Sequence, residues 1–393
     1  MTNKVIPYGK QSISQSDIDA VVDVLKSDWL TQGPAVPAFE SAITEYCGAD
    51  YGCATNSATS ALHVACLALG VGKSDIVWTS PISFVASSNC ALYCGAEVDF
   101  VDIDLETGNM SVGALKEKLV IAKQNKRLPK VVIPVHLAGQ SCDMETINEL
   151  AEKYGFKVIE DASHAIGAKY KGQPVGSCVY SDITVFSFHP VKIITSAEGG
   201  MAVTNCAELN KKMSRLRSHG ITNHPDELTE PSHGPWYYQQ LELGFNYRMT
   251  DMQAALGLSQ LKQLDNFVSA RNDIASKYNH AFVNSGLGIT HLSQSDDCYS
   301  SYHLYIVRLT QCEVEKHKSV ITGMRKHGVI AHLHYIPIHL QPYYQALGFS
   351  EGDFPDAETY YKQAVTVPLF HGMTIEQQGE VINQLRTLLR CET

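Results

Sequence analysis

Ser187-Phe188-His189-Pro190-Val191-Lys192-Ile193-Ile194-Thr195-Ser196-Ala197-Glu198-Gly199-Gly200 is the stretch around which the rest of the chain makes sense. Val185-Phe186 leads into it with an extended, apolar pattern, and Met201-Ala202-Val203-Thr204 resumes one after the glycine pair. The pattern predicts a strand, a turn carrying one lysine, and a return strand. Lys192 lies between Val191 and Ile193, so it is expected to lose part of its hydration. Burial lowers a lysine's pKa, because the charged form is the one that needs water. A neutral amine suits carbonyl chemistry, as a Schiff-base nucleophile or a proton carrier. The ordinary alternative is a surface lysine snorkelling off a buried strand. The remainder of the chain decides between them.

With 393 residues the chain can bury a large core and form two or three lobes. Hydrophobic residues make up 44% and charged residues 18%, a globular rather than a disordered composition. A formal charge of −10 argues against broad attraction to nucleic acid or anionic membranes. An anionic ligand would need a local pocket of backbone amides and a few basic groups. The eleven cysteines, odd in number and without framework spacing, read as reduced thiols. Cys90 and Cys94 share a helix face and read as core packing. The start, Met1-Thr2-Asn3-Lys4-Val5, has no apolar signal core, and no segment approaches the ~18 apolar residues of a membrane span. The expectation is a soluble, cytoplasmic protein.

Ser14-x-x-Asp17 opens an amphipathic helix over 15–27, with Ile18, Val21, Val22 and Leu25 at helical spacing. A second helix is expected over 36–47. Tyr51 to Ala54 then reads as a strand leading into Asn56-Ser57-Ala58-Thr59-Ser60 and a buried helix. Free amides and the helix dipole converge at such a start, which suits an anion, but ordinary N-capping explains the hydroxyls equally well. From residue 76 strands and helices alternate, with strands at 76–78, 98–103, 130–135 and 157–161 and helices at 83–94, 111–124 and 143–154. That alternation predicts a mainly parallel sheet covered by helices, with ligands beyond the strand carboxyl ends. Phe84, Asp161 and His164 fall at that edge.

Neither G-x-G-x-x-G after a strand nor G-x-x-x-x-G-K-[ST] occurs, which lowers dinucleotide and P-loop readings. There is no H-E-x-x-H, and His332, His334 and His339 read as pocket or structural histidines rather than zinc ligands. A helix is expected over 206–218. The polar stretch from His219 to about Gln240 lacks periodicity, as a functional lid or partner contact would. A long helix is expected over 251–284, then a smaller domain with a strand at 302–309, a helix at 313–327, a strand at 329–335 and a last helix at 374–390. Together, a helix start at Thr59 and Ser60, an aromatic at Phe84, an acid at Asp161 and Lys192 are the parts a phosphorylated pyridine aldehyde needs. Its phosphate wants the helix N-terminus, its aldehyde the lysine and its ring nitrogen a carboxylate.

The chain resembles the DegT/DnrJ/EryC1/StrS sugar-nucleotide aminotransferases over nearly its whole length. The resemblance rests on Leu30-Thr31-Gln32-Gly33-Pro34, Asn56-Ser57-Ala58-Thr59-Ser60-Ala61-Leu62, Ser83-Phe84-Val85-Ala86 and Asp161-Ala162-Ser163-His164-Ala165. It extends through the lysine stretch, Arg217-Ser218-His219-Gly220, and Asn246-Tyr247-Arg248-Met249 leading into Gln253-Ala254-Ala255-Leu256-Gly257. It implies an α/β type I PLP-dependent transferase fold like that of aspartate aminotransferase. A large, mostly parallel sheet domain (1–250) would precede a linking helix and small C-terminal α+β domain (251–393).

The resemblance also implies pyridoxal 5'-phosphate as cofactor and assigns the site residue by residue. Lys192 would be the Schiff-base lysine. Asp161 would pair with the ring nitrogen, His164 would contact the ring hydroxyl, and Phe84 would stack on the ring. Ala58, Thr59, Ser60 and Ser187 would hold the phosphate, with Asn246 reaching that of the neighbouring subunit in a homodimer. Tyr8, the run Asp28, Trp29, Leu30 and Thr31, and the run His332, Leu333, His334 and Tyr335 match positions lining the sugar-nucleotide pocket, and Arg248 would contact an anion. Pro81-Ile82-Ser83-Phe84-Val85, Ser163-His164 and Ala197-Glu198-Gly199-Gly200 look most like the branch acting in pseudaminic acid synthesis. That branch implies a UDP-linked keto-deoxysugar, UDP-4-keto-6-deoxy-N-acetyl-β-L-altrosamine, as acceptor and L-glutamate as amino donor. A different nucleotide-linked 3- or 4-keto-deoxysugar is the alternative. Related sugar dehydratases carry His where this chain has Lys192, so the lysine favours amine transfer.

Overall fold

The computed structural model describes residues 5–283 and 285–390, so the reading of Met1 to Lys4 lies outside the described residues. The strands β1 (Tyr51–Thr55), β2 (Ile76–Thr79), β3 (Glu97–Phe100), β4 (Val131–Ile133) and β5 (Lys157–Asp161) come first along the chain. A short hairpin, β6 (Lys169–Tyr170) and β7 (Gln173–Pro174), precedes β8 (Ile183–Ser187) and β9 (Gly200–Thr204). Seven of these form one sheet in the order β1-β9-β8-β5-β4-β2-β3. Its strands β3, β2, β4, β5 and β8 run parallel, while β9 is antiparallel to both β8 and β1.

After α1 (Gln15–Lys26), the helices α2 (Ala35–Cys47), α3 (Ala58–Ala68), α4 (Ala86–Tyr93), α5 (Val112–Gln124), α6 (Met144–Tyr154) and α7 (Ala207–Leu216) surround that sheet. Side-chain alternation along each strand feeds separate cores. Ile159, Ile183 and Val185 pack with Leu62 and Val64 of α3 and Cys90 of α4. Phe186 and Val203 pack with Phe39 and Ile43 of α2, and Val132 and Val158 with Leu115 and Ile147 of α5 and α6. β4 and β8 are buried at every position, as strands covered on both faces must be. Parallel pairing sets Asp161 opposite Val185, and antiparallel pairing sets Ser187 opposite Gly200 and Gly200 opposite Thr55. The acid, the start of the lysine turn and the strand preceding α3 thereby reach one edge of the sheet.

Beyond it, β10 (Ile221–Thr222) and β11 (Gln239–Gln240) pair, so the polar stretch is a loop closed at its base. The helix expected over 251–284 is instead two, α8 (Asp251–Leu261) and α9 (Leu264–Phe282), and Asn284 lies outside the described residues. Lys262 N–H donates to the Ser259 carbonyl and Gln263 N–H to that of Gln260, a tightened turn that ends the first helix. The break lets α8 lie on α1 and α2 while Ile274, Tyr278 and Phe282 of α9 enter a different core. That core covers the antiparallel sheet of β12 (Ile289–His291), β14 (Tyr305–Leu309) and β15 (Ala364–Val367); β13 (Cys298–Tyr299) pairs with β6 instead. It also contains Val320 of α10 (Val314–Lys326) and Leu385 of the helix Ile375–Arg390.

Two strand expectations are corrected there. The first β residue of β14 is Tyr305, because Tyr302 has φ 45, outside the extended region. Residues 329–335 run beside the small sheet through single bridges, Val329 to Ile6 and His332 to Thr366, and form no continuous ladder.

Candidate active site

Eleven of the residues singled out from the sequence line one cavity of about 410 Å³ at the sheet edge. From the large sheet and its helices come Ala58, Thr59, Phe84, Asp161, His164, Ser187 and Lys192. Tyr8, His332, His334 and Tyr335 close it from the other side. Ser57, Ser83, Ser163, His189, Glu198 and His303 line it as well, although the sequence reading gave them no role in the site.

One wall is the start of α3. Ser57 caps it, its hydroxyl accepting from Ser60 N–H at 3.1 Å. The N–H groups of Ala58 and Thr59 lie in the first helical turn, where no intrahelical carbonyl can reach them. With the dipole, they make this wall a seat for an anion. Gly200 is what lets the helix approach so closely: a Cβ there would lie 2.5 Å from Ala58 N and from the Ser57 carbonyl carbon. Ser60 is turned away from this seat, since its hydroxyl donates to Asn56 Oδ1 at 2.7 Å and it does not line the cavity.

Asp161 ends β5 and is 4% exposed. Ser163 donates to its Oδ1 through both N–H (3.2 Å) and hydroxyl (2.6 Å), and Ser87 donates to Oδ2 at 2.6 Å. Ser83, at 2.6 Å from Ser87, must then donate to it, because Ser87 has given its only proton to the carboxylate. The acid is thus held in one orientation with lone pairs left for a cation. Lys192 sits in the same cavity, partly buried, and loss of hydration pulls its pKa down to about 8 while the charge of Asp161 limits the fall. Near neutral pH an appreciable fraction of such a lysine is the free amine.

The turn around it is held by Phe188, whose carbonyl accepts from Ser196 N–H at 3.0 Å and Thr195 hydroxyl at 3.0 Å. Ala197 has φ 66, a left-handed position filled by a residue with a Cβ, and Glu198 and His189 face each other at 3.9 Å where the turn meets the cavity. Phe84 is 60% exposed at the mouth, its ring face available to a planar ligand. Tyr8, His332 and His334 form an aromatic cluster with ring centroids 4.6 to 5.4 Å apart. Burial, then His332 and Lys192, drop the pKa of His334 to about 3, so it is a neutral ring.

A second set of predicted residues does not reach this cavity. Asp28, Trp29, Leu30 and Thr31 are exposed, and Leu333 and Arg248 are partly buried elsewhere. Thr31 bridges to Thr250, and Leu30 carbonyl accepts from Asp251 N–H at 3.1 Å. Arg248 bridges to Thr55 through its backbone and donates to Ser218 Oγ at 3.2 Å. Asn246 is exposed and bridges to Ser218. Residues 28–31 and 246–250 therefore form one outer ridge.

Of the missed residues, Ser83, Ser87 and Ser163 were within reach of the sequence, at i,i+4 around Phe84 and two residues after Asp161. His303 had no local signal. It is delivered by the buried Arg271 of α9, which donates to the carbonyls of Tyr302, His303 and Leu369 at 3.1, 3.2 and 3.3 Å.

A pyridoxal phosphate group fits these donors. An uncovered helix start behind a glycine suits the phosphate, a fixed carboxylate the pyridinium, a lysine with lowered pKa the aldehyde and an open aromatic face the ring. Among the described residues no cluster of three or more His, Cys, Asp or Glu has metal-binding geometry, and no helix is long and apolar enough to cross a membrane.

Comparison with known proteins agrees with that fit. Residues 11–386 match the model of the DegT/DnrJ/EryC1/StrS aminotransferase family. The UDP-4-amino-4,6-dideoxy-N-acetyl-beta-L-altrosamine transaminase of Campylobacter jejuni strain 81-176 is 38% identical, over 98% of this chain and 98% of its own. The spore coat polysaccharide biosynthesis protein SpsC of Bacillus subtilis strain 168 is 36% identical, over 99% of this chain and 98% of its own. A solved structure of the protein Spr1654 from Streptococcus pneumoniae, in its PLP form, superposes with a TM-score of 0.89 at 30% identity, covering 98% of both chains. A lysine, an acid and a helix start on a type I transferase sheet, matched from end to end, make this chain a member of the DegT/DnrJ/EryC1/StrS family and a pyridoxal-phosphate-dependent sugar aminotransferase.

Proposed function

We propose that this enzyme moves the amino group of L-glutamate to C4 of UDP-4-keto-6-deoxy-N-acetyl-β-L-altrosamine. The observation that carries the reading is Lys192, a lysine of lowered pKa beside a fixed Asp161 and the open start of α3. The sugar is supported by the relative at 38% identity that bears that transaminase name and by the Ser83-Phe84, Ser163-His164 and Ala197-Glu198 pairs of this sequence.

Bound pyridoxal phosphate supplies an electron sink that stabilises negative charge next to the amine carbon. This chain's part is to bind and to move protons. Ala58, Thr59 and Ser187 would hold the phosphate, and Asp161 would keep the ring nitrogen protonated. Phe84 would cover the ring. Lys192 would hold the aldehyde and, as a free base, would carry a proton, which its lowered pKa permits at neutral pH. Tyr8, His332 and His334 offer an aromatic wall to the sugar nucleotide. The division into a large cofactor-binding unit, 1–250, and a smaller one, 251–393, belongs to the same reading. So does a homodimer in which Asn246, with residues 28–31 and Arg248, serves the neighbouring subunit's cavity.

The test is incubation with L-glutamate and a panel of UDP-, dTDP- and GDP-linked keto sugars, with products read by mass and NMR. The UDP-altrosamine ketone is expected to be the best acceptor, and preference for another nucleotide or ring would overturn the assignment. Borohydride reduction of the loaded protein, followed by peptide mass spectrometry, is expected to fix the cofactor to Lys192 and not to fix it in Lys192→Ala.

A further inference from the structure

His164 is held from two sides. Its carbonyl accepts from the Ser301 hydroxyl at 3.0 Å, and Ser301 N–H donates in turn to the Gly139 carbonyl at 3.1 Å. Its ring receives a proton from the backbone: Ala138 N–H donates to Nδ1 at 3.3 Å. Ala138 adopts φ 60, an uncommon conformation for a residue with a Cβ. Asn109 imposes it. This buried side chain accepts Leu137 N–H at 2.9 Å and donates to the carbonyls of Gln140 and Ser141, both at 3.1 Å, bracketing the turn.

An imidazole whose Nδ1 accepts must, when neutral, carry its proton on Nε2. Burial, then the neighbouring Lys192 and His334, hold the His164 pKa well below the ordinary value, so the ring is neutral. Nε2 lies 3.1 Å from the Tyr335 hydroxyl, which therefore accepts from it. The proton of Tyr335 is left over. Burial, with Asp161 and Tyr8 nearby, pushes that phenol well above its usual range, so the proton stays on. Tyr335 lines the cavity with Lys192, Asp161, His303 and His334.

We propose that Tyr335 is the directed proton donor of this cavity, aimed at an oxygen of the bound cofactor ring by the relay Ala138 N–H to His164 to Tyr335. The inference rests on the cofactor site proposed above and changes the part of His164. The histidine's single proton is committed to Tyr335, so His164 acts as a positioning residue and the tyrosine makes the contact.

Two measurements test it. In cofactor-free protein with 15N-labelled histidine, His164 is expected as the Nε2–H tautomer throughout neutral pH. An Nδ1–H tautomer or an imidazolium would overturn the relay. In loaded protein, Tyr335→Phe removes the donor, so the ring oxygen holds the lysine-side proton more tightly. The pH midpoint of the bound cofactor's visible absorption is then expected to rise by about one pH unit. His164→Leu is expected to move the midpoint the same way. His164→Gln is expected to restore it, because an amide also offers one acceptor and one donor. A midpoint unchanged in both Tyr335→Phe and His164→Leu would sink the proposal. Failure of every protein to load cofactor would instead count against the proposed site, since the tautomer is read without cofactor.

Discussion

Lys192 stabilises nothing by being charged. Its ordinary pKa of 10.5 is the value in the unfolded chain, and folding lowers it to about 8. Below about pH 8 both states bind the proton, and the folded protein bears the full cost of burying it, on the order of 3 kcal/mol. Between about 8 and 10.5 the unfolded chain binds more protons, so stability rises with pH. Above both values the penalty is gone. Lys192→Met in the cofactor-free protein is therefore expected to raise the unfolding free energy at neutral pH, by an amount that shrinks as pH climbs through that window. Denaturant titrations of both proteins across it make the comparison; a gain that does not vary with pH would mean that the lysine is solvated. The stability sacrificed at this residue matches its proposed use, since a solvated lysine would be protonated and unable to act as a base.

At the scale of elements, the contact between β9 and the start of α3 is a close backbone-to-backbone fit. Gly200→Ala would place a Cβ 2.5 Å from backbone atoms of Ser57 and Ala58, which cannot rotate away. The expected result is a folded protein destabilised by about 1–3 kcal/mol, with cofactor affinity lowered at least about tenfold because the amides of Ala58 and Thr59 are displaced. Cofactor titration by fluorescence reads the affinity; wild-type binding in this variant would argue that the phosphate sits elsewhere. Sequence alone made this element pair legible as strand, hydroxyl-rich turn and helix, and it located Asp161 and Lys192, because each lies in a local pattern of period two or at a strand end. It could not assign the direction of Ser60, which depends on Asn56 competing for its proton, nor the break at Lys262, where helical spacing continues on both sides. His303 was out of reach because a distant buried arginine, Arg271, sets its place. The strand expected over 329–335 failed for a similar reason: its apolar pattern is real, but its partners are single residues, Ile6 and Thr366.

For the whole molecule, most of the predicted site residues, Ser60 and Leu333 apart, fall into two sets that a single chain does not unite. One lines the cavity. The other, residues 28–31 with Asn246 and Arg248, sits on an outer ridge where Trp29 is 56% and Leu30 47% exposed. Trp236, in the loop between β10 and β11, and Leu243, just after β11, are 74% and 79% exposed. Large apolar side chains left in water along a ridge are what a surface covered by another chain would present. If that chain is a second copy, two-fold symmetry lets each ridge reach the other's cavity. Lys192→Ala and Asn246→Asp chains, each inactive alone, should then complement one another. In a mixed dimer the intact Lys192 of one chain meets the intact Asn246 of the other at one of the two sites. Random mixing makes half of the dimers mixed, so an equal mixture is expected to recover about a quarter of the wild-type rate. Native mass spectrometry of tagged chains establishes that mixed dimers form, and no recovery under those conditions would mean that each chain completes its own site.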